Sequence, residues 1–137
     1  MTSVRNSENI VRDGGLPVEI VFYQEDHKTA PLADWLEELP AKALQKCLAR
    51  LERLEQLGHE LRRPEADYLR DDIYELRASY QGVHYRMLYF FHKRTAVVVS
   101  HGLIKEQAVP PREIDLAIRR KQKLDANPKR HTFRPKG

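Results

Sequence analysis

A single cysteine, Cys47, stands in the chain. That excludes an internal disulfide and agrees with a reducing compartment, where a domain depends on its core rather than on cross-links. Long apolar runs are also missing. None approaches the roughly 18 to 20 residues that span a bilayer, and the opening MTSVRNSENIVRDGG has no apolar signal core. The cytoplasm is therefore the default location, with no membrane partner. Metal-ligand spacing is lacking too: His84, His92 and His101 have no Cys or acidic residues set beside them as zinc sites require. Acids are scarce at one end. Residues 119–137 hold eight Lys/Arg against Asp125 alone, a net +7, while the other residues sum to −3. Such a basic end, with Arg119, Arg120 and Lys121 at its start, is a common footprint for nucleic acid, although it also serves solubility.

What is present fits one soluble domain. The 137 residues are 41% hydrophobic and 32% charged, enough for a core but too few for a separate cofactor domain. Residues 1–16 read as a flexible leader ending in the turn signal DGGLP, the folded unit spans 17–126, and 127–137 read as a flexible basic tail. VEIVFY (18–23) predicts a strand, and APLADWLEELP a short helix stopped by Pro40. In the following AKALQKCLARLERLEQLG, Leu44, Cys47, Leu48, Leu51, Leu54 and Leu57 recur at helical spacing before Gly58, so this helix should turn a leucine stripe to the core.

The second half changes period. DYLRD, IYELRAS, VHYRMLYFF and TAVVVSHGLIK are short, aromatic and β-branched, separated by Asp71-Asp72, Gln81-Gly82 and Lys93-Arg94. They predict consecutive antiparallel strands joined by tight turns, closed by a helix from Pro111 with Ile114, Ala117, Ile118 and Lys121 along one face. The fold class expected is α+β: a small antiparallel sheet packed against an N-terminal helical pair, with a C-terminal helix. One face of that sheet should be partly open.

Strand alternation then gives the chemistry. His84, Arg86, Leu88 and Phe90 share one face of their strand, and Glu75 and Arg77 share a face of the strand before it. A hairpin about Tyr80 to Gly82 lets Arg77 and Arg86 face one groove, where two planar guanidiniums make a permanently charged anion site suited to phosphate. The alternative is that both arginines are tied up in ion pairs with Glu75 or Asp71.

The run from Leu69 to Arg120 carries a resemblance. Its ELR strand (75–77), YRMLYF strand (85–90), HGLIK strand end (101–105) and PREI helix opening, in that order behind a helical hairpin, are similar to the phage-derived branch of the RelE/HigB toxins of type II toxin-antitoxin systems. The resemblance implies a microbial-ribonuclease-like fold that cleaves mRNA, usually on the ribosome, needs no metal or organic cofactor, and is neutralised by a helix-turn-helix antitoxin. By that similarity Arg77 and Arg86 would hold the scissile phosphate, and His101 and Lys105 would supply proton transfer or further charge. Metal-free RNA cleavage needs those parts: a 2′-hydroxyl attack, proton acceptor and donor, and cations for the phosphorane. Tyr85 is a candidate for stacking a base, against core packing as the plainer reading. After the strand end the sequence KEQAVPP keeps only Lys105, where this branch tends to hold further lysines. That departure leaves a catalytically weak or inactive binding module as the alternative.

Overall fold

The computed structural model describes residues 17–93, 95–104 and 108–135, so the leader (1–16) and Lys105 lie outside the described residues. Strand β1 (Glu19–Tyr23) leads to helix α1 (Pro31–Glu37) and helix α2 (Ala41–Leu57). Proline suits a helix start because its missing N–H has no partner there anyway; Pro31 opens α1, and Pro40 caps α2. Gly58, at φ 54°, ends α2 in the left-handed region that a side chain resists. The stripe of α2 is nearly as expected. Cys47, Leu51 and Leu54 are buried together with Ala43, whereas Leu48 is 47% exposed.

Strands β2 (Ala66–Arg70), β3 (Ile73–Tyr80), β4 (Val83–His92) and β5 (Ala96–Ile104) form the antiparallel meander. Asp71 and Asp72, then Gln81 and Gly82, all have positive φ, the conformation of two-residue turns whose twist matches the strands. The rest of the sheet order, β2-β3-β4-β5-β1-β6, departs from the meander. β1 lies parallel to β5, from Glu19↔Ala96 to Phe22↔Val99. The basic tail, read from sequence as flexible, folds back instead. After helix α3 (Pro111–Ala126), a single turn α4 (Pro128–His131) leads into strand β6 (Thr132–Phe133), which pairs antiparallel with β1, and buried His131 stacks on Tyr23.

Alternation distributes the core over two layers. Leu76, Ala78, Tyr85, Met87, Tyr89, Val97 and Val99 pack toward α1 and α2. Val21, Tyr23, Ile73, Leu88, Phe90 and Val98 pack toward Ile114, Ala117 and Leu124 of α3. The second face is thus covered by α3 rather than broadly open. The apolar cover runs to Ile73 and Leu88, and the next residues on that face are Glu75 and Arg86.

Candidate active site

Arg77 and Arg86 are Cα partners across β3 and β4. Like charges directly opposite on a sheet repel, and Glu75 resolves the conflict from two residues away on the same face. Its Oε2 accepts from Arg77 Nε at 2.9 Å and Nη2 at 2.6 Å, and its Oε1 accepts from Arg86 Nη1 at 2.6 Å. Glu75 is only 2% exposed, and a carboxylate that deep persists only when paired. Asp67 Oδ2 adds a contact to Arg77 at 3.2 Å and one to Arg63 at 2.9 Å. The Arg63 guanidinium holds the Asp67 carboxyl below its ordinary range. Three guanidiniums against two carboxylates leave a local surplus of one positive charge.

Each arginine keeps donors in reserve. Among the described residues neither Arg77 Nη1 nor Arg86 Nη2 has a hydrogen-bond partner, and Arg86 Nε is buried without one. A cleft of about 210 Å³ opens here, walled by Arg50, Arg77, His84 and Arg86. Arg50 braces it: its Nε donates to the Arg77 carbonyl at 2.7 Å while Nη1 holds Glu65 at 2.7 Å. The ion-pair alternative is therefore present in part, with Glu75 but not Asp71, which pairs with Arg70. It coexists with donors that have no partner among the described residues, because one buried carboxylate cannot occupy two forks.

His101 lies on the same face. It pairs with Leu88, while Arg86 pairs with Leu103 two residues on, a diagonal of roughly 7–8 Å in an antiparallel ladder. Ser100 is the extra residue of a bulge in β5, and the register shift carries His101 onto this face. The residue is 7% exposed, with Nδ1 3.0 Å from Ser100 Oγ and Nε2 3.0 Å from Glu113 Oε1 on the first turn of α3. Burial, helped by the Arg120 charge, lowers its pKa and outweighs the attraction of Glu113, so the ring rests neutral.

The other sequence candidates part company. Tyr85 is 5% exposed, edge-on to Trp35 in the core, so it presents no stacking face. Arg120 turns inward: its guanidinium lies over the Tyr23 ring at 5.4 Å, Nη1 reaches the Ser100 carbonyl at 3.4 Å, and burial lowers its pKa. Lys121 is held by Asp125 at 2.9 Å, and only Arg119 is exposed. These three do not form one basic face. Sequence reasoning named Glu75 as an ion-pair alternative but not as the shared anchor of both arginines, and it missed Arg50, whose contact joins distant elements. Among the described residues no three His, Cys, Asp or Glu side chains group as metal ligands, and no helix is long and apolar enough to cross a membrane.

An α+β sheet with helices on both faces and an arginine pair at its hairpin end defines the class. The chain belongs to the family described as Phage derived protein Gp49-like (DUF891), which matches residues 34–122, from within α1 to within α3. That family lies within the RelE/HigB-like toxin superfamily, whose members are commonly toxins of toxin-antitoxin systems. No curated protein matches the chain.

Proposed function

We propose that this protein is the toxin of a type II toxin-antitoxin pair, an endoribonuclease that cuts mRNA on translating ribosomes without a metal ion. The observation that supports this best is the arginine pair, preset by Glu75 at 2.6 Å on either side, with unpartnered donors beside a cleft. Preset donors stabilise charge that develops in a transition state without reorganising. In the reaction the RNA 2′-oxygen bonds to the neighbouring phosphorus and the P–O5′ bond breaks, leaving a cyclic phosphate and a 5′-hydroxyl. Arg77 Nη1 and Arg86 Nη2 take the non-bridging oxygens. Water takes the 2′-hydroxyl proton as that oxygen attacks. His101, once protonated from solvent and released from Glu113, gives its proton to the leaving 5′-oxygen, and Lys105 adds positive charge.

A second reading, an inactive module that keeps only binding, draws on His101 being closed in by Ser100 and Glu113. One experiment separates the two: expression of the chain in bacteria, followed by mapping of the end chemistry of cuts in translated mRNA. Growth arrest and cuts bearing a 5′-hydroxyl and a cyclic phosphate are expected, with Arg86→Ala slower by about 10²- to 10³-fold and Arg86→Lys between the two, because Lys keeps the charge but not the fork. Normal growth with intact transcripts selects the binding module, and cuts bearing a 5′-phosphate and a 3′-hydroxyl, the ends left by metal-activated water, overturn the mechanism.

A further inference from the structure

A second cleft, of about 560 Å³, lies at the free edge of β2, between that strand and the loop after α2. Its wall is aromatic. Tyr68 is 51% exposed, unusual for so large an apolar ring, yet it is held firmly in place. The Asp72 N–H donates to its hydroxyl at 3.2 Å, and its ring meets Tyr74 edge-on at 5.1 Å. Tyr74 in turn stacks on core Tyr89 at 5.2 Å and 17°. An exposed ring fixed at both ends is a preorganised stacking surface, and it loses little entropy when a second flat ring lies on it.

The rim is cationic. Arg62 and Arg63 are exposed, and Arg62 spends only Nη1, on the carbonyls of His59 and Leu61. The one acid in the lining, Asp67, is already held by Arg63 and by Arg77. That carboxylate also joins the two clefts, since Arg77 belongs to the anion site. Along β3, Tyr74 is three residues from Arg77, roughly 10 Å at strand rise but on the opposite face of the sheet, so a strand that visits both clefts passes around the β2 edge.

We propose that this cleft is a subsite for an unstacked base of single-stranded RNA, one or two nucleotides from the phosphate held by Arg77 and Arg86. The proposal rests on the ribonuclease reading and deepens it. The strand crosses the β2 edge with phosphates beside Arg62 and Arg63 and lays one base on Tyr68. Stacking of this kind accepts any base, because each has a π face. A protein segment fits the lining less well: the wall is aromatic with two exposed guanidiniums at its rim, whereas an aliphatic groove lies elsewhere, at Leu48 and Ile20 beside α2.

The test uses the full chain with two labelled probes that cannot be cleaved, 2′-O-methyl hexauridylate and a hexamer of the same backbone without bases. Wild type should prefer the first. Tyr68→Ala should weaken hexauridylate binding roughly 5- to 100-fold and bring the probes level, while Tyr68→Phe keeps the preference. Tyr68→Ala with unchanged binding overturns the subsite, as does the loss of antitoxin binding alone, which makes the edge a protein contact. A wild type that ignores both probes but cleaves mRNA overturns the subsite and leaves the ribonuclease standing. A base preference lost in Tyr68→Ala, in a chain that cleaves nothing, supports the subsite and removes the ribonuclease.

Discussion

Glu75 Oε1 and Arg86 Nη1 stand 2.6 Å apart, and the other oxygen of the same carboxylate is held by Arg77. One buried acid therefore sets the position of both cations. Replacing it leaves Arg86, whose side chain is 15% exposed, facing Arg77 without compensation. Glu75→Ala should cost about 3 to 5 kcal/mol in urea unfolding. Arg86→Ala should cost less, about 1 to 3 kcal/mol, because Arg77 still partners Glu75. The reverse order would show that Glu75 is not the shared anchor.

Acid should weaken the fold through His101. Its folded pKa lies below the ordinary value of about 6.5, chiefly through burial and then through Arg120. The unfolded chain therefore binds the proton more readily, and stability rises with pH between the depressed folded pKa and about 6.5. The contribution is complete above that window and absent below it. His101→Gln should flatten this part of the stability–pH curve, as measured by thermal melts across pH 4 to 8.

Gly102 is needed for space rather than for turning. A methyl group there would run into the indole of Trp35, which also packs against Tyr85. Gly102→Ala should displace the ring and cost about 1 to 3 kcal/mol. Trp35 is the sole tryptophan, so a red-shifted emission at unchanged helix content reports the displacement directly.

A chain of net charge +4 with a cationic cleft calls for an acidic counterpart. A small antitoxin with a helix-turn-helix domain, encoded beside this gene, should co-purify with it, and the association rate should fall as salt rises. Failure of the neighbouring protein to bind at moderate salt would remove that partner.

Period-2 alternation was enough to place Arg77 and Arg86 on one face, and the Asp-Asp and Gln-Gly pairs marked the β2–β3 and β3–β4 turns, because those signals are local; of the third pair, Lys93-Arg94, Arg94 lies outside the described residues. The parallel partner of β1 was not legible: VEIVFY shows that a strand forms, not which distant strand receives it. Arg120 was readable in principle. It sits three residues after Ala117 and four before Leu124, on the buried stripe of α3, but charge suggested solvent where a tyrosine face and a carbonyl receive it. His101 reached the correct face only through the Ser100 bulge, an insertion that no simple count along the strand reveals. Tyr85 followed its alternation into the core, the plainer of the two readings its position allowed.

The placement of β1 between β5 and β6 has a further consequence for how the chain reaches this state. His131 Nδ1 meets the Gln24 carbonyl across 107 positions of sequence, so this edge of the sheet is closed by partners far apart in the chain. Contacts of such separation form late, since the intervening loop must first be closed. Until β1 docks, β5 shows a bare row of amides with Val97, Val98 and Val99 behind them, an adhesive edge. During that interval two chains can trade β1 strands, so crowded, rapid expression favours exchanged dimers and slow expression favours the closed monomer.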